Sequence, residues 1–178
     1  MVTVGLDLSL AKTGYTVMCD GVVKFSGIIK SQPSGDKHID ELKRLIKIVD
    51  QIEVMTFQIG KPDIVAIENL AFMARNTTAL TQLAGLSYFV RQMLLDNNIP
   101  FLMVAPLTLK KFVTGKGKGD KSLMLMTVYK DYGFESLDDN VCDAFGLAAL
   151  SMAVLGSPIL KPGVPQIEVI ELIKKQIC

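Results

Sequence analysis

Three carboxylates stand where separate elements of one α/β core would present them to a single point. Asp7 ends the apolar run Val2-Thr3-Val4-Gly5-Leu6, Glu68 ends Ile64-Val65-Ala66-Ile67, and Asp143 opens the small-residue run from Ala144 to Leu150. Short apolar runs bounded by breakers read as buried strands, and the longer small-residue run as a buried helix. A carboxylate at the end of a buried strand is costly unless its charge is compensated. Hard divalent cations with oxygen ligands are the usual compensation. Two strand ends and one helix start that converge imply a two-metal phosphodiester site, in which ions about 4 Å apart clamp the attacking and leaving oxygens.

Hydrophobic period and breakers give the order of the remaining elements. Strands are expected at about 2–8, 14–19 and 22–29, with Lys12-Thr13-Gly14 and Asp20-Gly21 as the turns between them; the Asp-Gly pair is a strong hairpin signal. A helix from about Lys37 to Phe57 places Ile39, Leu42, Leu45, Ile46, Val49 and Ile52 on one face, and Asp40, Lys43, Lys47 and Asp50 off it. After the Glu68 strand, Asn76-Thr77-Thr78 caps a helix running to about Leu95, which Asn97-Asn98 and Pro100 end. The strand 101–104 leads into a short helix that starts at Pro106 and carries Lys110 and Lys111. The glycines of Gly115-Lys116-Gly117-Lys118-Gly119 are too costly inside a helix, so a loop is expected there. Helices from about Asp120 to Tyr132, from Asp143 to near Gly156, and from Pro165 onward complete a mixed sheet flanked by helices.

At 178 residues the chain reads as one folding unit, residues 1–156, with a linker and amphipathic helix at 157–178 packed on it. Its 49% hydrophobic content and mean hydropathy of +0.36 leave apolar surface for a second subunit. A net charge of +1 argues against a globally basic nucleic-acid coat, but distribution matters more than the sum. Six lysines (110, 111, 116, 118, 121 and 130) face one acid, Asp120, between Lys110 and Lys130. Cys19, Cys142 and Cys178 share no metal-ligand spacing, so a reduced cytoplasmic setting is expected. The N-terminal residues carry no secretory pattern. The apolar stretch 144–160 is broken by Gly146, Ser151, Gly156 and Pro158 and falls short of the roughly 20 residues of a membrane span.

Four motifs in order carry a resemblance: Gly5-Leu6-Asp7-Leu8-Ser9-Leu10-Ala11-Lys12-Thr13-Gly14, Ala66-Ile67-Glu68-Asn69-Leu70-Ala71-Phe72-Met73-Ala74-Arg75-Asn76, Lys110 to Lys121, and Asp143-Ala144-Phe145-Gly146-Leu147-Ala148. Over about residues 2–155 they resemble the RuvC family of Holliday-junction resolvases, the lysine and glycine loop being the most specific of the four. The resemblance implies an α/β, ribonuclease H-like fold, a homodimer, magnesium with manganese as a substitute at two ions per site, and symmetric incision of a four-way DNA junction. By motif position, Asp7, Glu68 and Asp143 are implied metal ligands, and Lys110 and Lys121 the lysines near the scissile phosphate. Phe72 falls at the family's junction-wedging aromatic position, with one residue inserted after Glu68. Arg75, Lys111, Lys116 and Lys118 join Phe72, Lys110 and Lys121 as expected DNA contacts.

One position departs from the family. Its fourth acidic or imidazole ligand, three residues before the last Asp, is Asn140 here. Asn140 can ligate a hard cation weakly through its oxygen, or Asp139, sharing a helix face with Asp143, can supply the charge; both stay open. This divergence and the compact length suggest a phage or mobile-element member acting in a host cytoplasm. Simpler readings stand beside these: Asp138 and Asp139 as helix caps, Lys116 and Lys118 as solvated phosphate contacts, His38 as structural, the nine methionines as core filler, and Cys142 as packed inward. The rival functions are a flap, branched-DNA or RNA–DNA hybrid nuclease of the same fold, and a junction-binding protein with a disabled site. Asp7-Leu8-Ser9 with Thr13-Gly14 also resembles the phosphate loop of sugar kinases and actin-like ATPases, but those need two lobes, and no nucleotide cofactor or membrane is expected.

Overall fold

A computed structural model describes the chain except residues 34, 36, 71–76, 118–120 and 178, and except the side chains at 77 and 121. Strands β1 (Val2–Asp7), β2 (Lys12–Cys19) and β3 (Val22–Lys30) come first, followed by α1 (His38–Thr56) and β4 (Ile64–Glu68). Then come α2 (Thr77–Asp96), β5 (Phe101–Val104), α3 (Pro106–Thr114), α4 (Lys121–Tyr132), α5 (Asp139–Val154) and α6 (Val164–Lys174). The strands form one sheet in the order β3-β2-β1-β4-β5. β1–β2 and β2–β3 are antiparallel, and β1–β4 and β4–β5 are parallel. Asp20 (φ 50°) and Gly21 (φ 78°) make the tight β2–β3 turn that the Asp-Gly pair predicts.

Alternation along β1 decides which face each residue serves. Val4 and Leu6 pack into the core shared with α1 and α2. Thr3 points the other way and donates to the Ala148 carbonyl of α5 at 3.2 Å. Asp7 shares the parity of Thr3 and therefore the α5 face. On β4, Ile64 and Ala66 belong to the α5-side core, and Glu68 continues their parity. Leu6 pairs with Ile67, so Asp7 and Glu68 leave neighbouring strands at the same end of the sheet.

Two glycines let α5 lie directly on that face. A Cβ on Gly5 would sit 1.9 Å from the Ala144 carbonyl oxygen and 2.6 Å from the Ala148 nitrogen. A Cβ on Gly14 would sit 2.1 Å from the Asn140 carbonyl oxygen. Backbone meets backbone at both places, and this sets how close Asp143 comes to β1.

Three expectations are corrected. Lys12-Thr13-Gly14 is not a turn: it opens β2, with Gly14 paired to Asp7. The connection lies earlier, closed by Ser9 N donating to Thr13 Oγ1 at 3.1 Å and Thr13 Oγ1 donating to the Ser9 carbonyl at 2.8 Å. Asp143 does not open its helix. α5 begins one turn earlier, where the N-cap Asp138 accepts from the Asn140 amide at 3.0 Å. On α1 the buried face is Leu45, Ile48, Ile52 and Thr56, while Ile39, Leu42 and Ile46 are exposed. The apolar arc is wider than the sheet needs, and its outer part stays in solvent.

At the C-terminal end, Val169 and Ile173 of α6 enter the same core as Leu109, Phe112 and Val113 of α3. Lys111 Nζ pairs with Glu168 Oε2 at 2.5 Å across the α3–α6 contact. Gln176 reaches edge strand β5, accepting from the Met103 amide and donating to the Met103 carbonyl, both at 2.9 Å.

Candidate metal centre

Asp7, Glu68 and Asp143 meet. Each offers a carboxylate oxygen, and those oxygens all lie within 4.8 Å of one another. Asp7 is buried at 8% exposure, and the other two are half-buried. Three negative groups this close repel unless a cation lies among them. The donor set is oxygen only, with neither imidazole nor thiolate, which fits a hard divalent cation and not a soft metal. Cys142, next in sequence to Asp143, is buried, and that burial pushes its thiol up to about 11. It stays a neutral thiol turned towards the Ser136 carbonyl, at 3.8 Å, as expected of an inward-packed residue.

The wall of the site is built from the start of α5 and the loop after β1. Asn140 Nδ2 donates to the Lys12 carbonyl at 2.7 Å, fastening α5 to the start of β2. Arg44 of α1 donates through Nη2 to the Leu10 carbonyl and through Nε to Ser31 Oγ at 2.9 Å. It thereby pins the loop that follows Asp7. The tie spans 34 residues of sequence, and nothing in the local pattern around Arg44 signals it. Asp139 lies outside the three-carboxylate group.

The expected cationic residues fall in different settings. Lys110 is half-buried on α3, Lys111 is engaged with Glu168, and Lys116 is exposed. Thr114 Oγ1 lies 2.8 Å from the Lys110 carbonyl and 2.9 Å from the Lys116 carbonyl, so the start of the glycine loop is held to the end of α3. Lys121 is the first residue of α4. Its side chain, and Phe72, Arg75 and Lys118 altogether, lie outside the described residues.

Comparisons with known proteins agree with this architecture. A structure described as T. thermophilus RuvC in complex with Holliday junction substrate superposes with a TM-score of 0.73 at 19% identity, covering 92% of this chain and 99% of that one. The yeast mitochondrial Holliday junction resolvase Ydc2 gives 0.60 at 12% identity, over 99% of this chain and 84% of that one. Those likenesses establish the ribonuclease H-like fold. In sequence, the crossover junction endodeoxyribonuclease RuvC of Campylobacter hominis is 34% identical over 160 residues, 83% of this chain and 93% of that protein. The family model described as crossover junction endodeoxyribonuclease RuvC matches residues 3–151, a span that takes in all three clustered carboxylates. On that match, and on the sheet and site just described, the chain belongs to the RuvC family.

Proposed function

We propose that this protein is a metal-dependent endonuclease that resolves four-way DNA junctions by paired, symmetric phosphodiester hydrolysis. The observation that carries the reading is the convergence of Asp7, Glu68 and Asp143 at one end of the sheet in a chain of the RuvC family. Relatives bearing that family name are crossover junction endodeoxyribonucleases.

Asp7, Glu68 and Asp143 would hold magnesium or manganese, two ions in this reading. Bound there, such ions supply Lewis acidity towards the phosphoryl oxygens and lower the pKa of a water. The chain's own groups do the rest. Asp7, nearly removed from solvent, fixes the position of the charge. Asp139 or Asn140, at the start of α5, completes the ligand field. Lys110 and Lys121 offer compact cations to the charge that develops on the phosphoryl oxygens. Attack in line with the leaving 3′ oxygen leaves a 5′-phosphate and a 3′-hydroxyl, ends that a ligase can rejoin. Phe72, Arg75, Lys111, Lys116 and Lys118 complete the proposed DNA-contacting set, Lys111 only when it leaves Glu168.

A homodimer would set two such sites against opposed strands of the junction. What supports it is the apolar surface left on α1 and α2: Ile39, Leu42 and Val54 are exposed, as are Tyr88 and Leu95. Ile46, Val49, Phe89 and Met93 also line a shallow groove between the two helices. The cytoplasm, where branched DNA arises, is the proposed place of action; among the described residues no helix is long and apolar enough to cross a membrane.

The test is purified protein on labelled four-way junction, linear duplex, flap and RNA–DNA hybrid, with and without magnesium or manganese. Paired nicks in the junction, dependent on the metal, are expected. No incision in either metal would leave a junction binder, and preferential cutting of flap or hybrid would make it a different nuclease of this fold.

A further inference from the structure

A cleft of about 320 Å³ opens between the end of β3 and α1, lined by Lys30, Ser31, Lys43, Arg44, Lys47 and Gln51 among others, with no carboxylate in its lining. Lys43 and Lys47 lie one turn apart on α1, with Asp40 and Asp50 three residues before and after them on the helix but outside the cleft lining. Lys30, Lys43 and Lys47 are exposed, and none has an ion-pair partner among the described residues. Arg44, half-buried, also lines the cleft. Its guanidinium contacts the Leu10 carbonyl, Ser31 Oγ and the Ser31 carbonyl, all of them neutral acceptors.

The placement of this cleft matters more than its charge. Asp7 pairs with Gly14, and Gly14 with Ile28, so Lys30 lies two residues further towards the catalytic end of β3. Two strand spacings separate β1 from β3, roughly 10 Å. That is about three phosphate steps of a DNA strand at about 3.4 Å each along the axis. The loop between the cleft and Asp7 is the one that Arg44 pins. Lys110 and Lys116 belong to α3 and its following loop, which come directly after β5 and pack beside α5. Lys30 stands at the same end of the sheet as the carboxylates, whereas Lys43 and Lys47 are on α1, which covers the face opposite Asp7, so a duplex arm leaving the metal centre reaches them by passing round the β3 edge. Ammonium groups on flexible stems, without a guanidinium fork facing outward, suit contact with phosphates and read no bases.

Resting on the junction-nuclease reading above, we propose that Lys30, Lys43 and Lys47 bind the phosphate backbone of a duplex arm leaving the cleavage site. This contact sets affinity and holds the arm; it takes no part in the chemistry.

The experiment uses the full chain carrying Lys30→Gln, Lys43→Gln and Lys47→Gln singly and together, on labelled four-way junctions with long or shortened arms, over a salt series. Each removed lysine is expected to lower the slope of log affinity against log salt by up to about one and to weaken long-arm binding several-fold. Lys43→Arg with Lys47→Arg should restore wild-type affinity. Arms cut too short to reach the cleft should bind wild type and triple variant alike, and the single-turnover rate on saturated junction should not change. A triple variant that matches wild type in affinity and salt slope on long arms overturns this assignment while leaving the nuclease reading intact. A wild type that binds no junction overturns the nuclease reading itself, and the cleft assignment with it.

Discussion

The side-chain amide of Asn140 donates to the Lys12 carbonyl at 2.7 Å, joining the first turn of α5 to the first residue of β2. An aspartate at 140 would point an acceptor at an acceptor. Asn140→Ala is expected to cost about 1 kcal/mol, the usual worth of one such bond, and Asn140→Asp more. Urea unfolding at constant slope checks the order; an Asn140→Asp protein as stable as wild type would contradict it.

Asp139 lies one helical turn before Asp143, and we propose that it supplies the charge of a fourth ligand. Asp139→Asn should raise the magnesium concentration needed for half-maximal cleavage several-fold, with the rate at saturation little changed. Asn140→Ala should move that concentration much less. The reverse pattern would assign the role to Asn140.

At Gly5 the backbone of α5 lies directly against β1. Because a methyl there would meet the Ala144 carbonyl oxygen at 1.9 Å, and backbone cannot rotate aside as a side chain can, Gly5→Ala should destabilise by about 3 kcal/mol. It should also separate Asp143 from Asp7, so cleavage falls below what the loss of folded protein explains. Gly14→Ala, at 2.1 Å from the Asn140 carbonyl oxygen, should act in the same direction. Paired unfolding and cleavage measurements decide both.

Gln176 acts as a substitute strand. Its amide satisfies both main-chain groups of Met103 on the β5 edge, where unpaired strand groups invite association. Gln176→Ala should cost about 1–2 kcal/mol for two partly exposed bonds, and Gln176→Glu should keep only the bond from the Met103 amide. If removing residues 157–178 leaves stability unchanged, the packing of α6 on α3 contributes nothing.

The lysines after α3 should divide by role. Lys116→Ala should weaken binding to all DNA and reduce the salt slope by up to about one. Lys121→Ala should instead slow cleavage of DNA already bound. Unchanged single-turnover rates in Lys121→Ala would remove it from the chemistry.

Much of this was legible in the sequence because period and breakers act locally. The runs before Asp7 and Glu68 announced their strands, and parity along each strand then put both carboxylates on one face. Gly14 misled because a glycine after Lys-Thr reads as a turn, whereas its small size serves the backbone of α5 lying over it. The start of α5 lies one turn before its apolar signal, because the capping segment, Asp138 to Asn140, is polar while that signal begins at Ala144. The outer part of α1 reads as inward because its apolar arc is wider than the buried face. The Lys30–Lys47 cleft and the Gln176–Met103 pairing join residues far apart in the chain, and no local pattern carries such contacts.

The most direct test is single-turnover cleavage of a four-way junction in saturating magnesium by Asp7→Asn, Glu68→Gln and Asp143→Asn, with junction affinity measured on the same samples. The account predicts cleavage lost by orders of magnitude in each variant and binding retained, because ligands to the ion are removed and the basic surface is not. Near wild-type cleavage in any one of the three would contradict the three-carboxylate site.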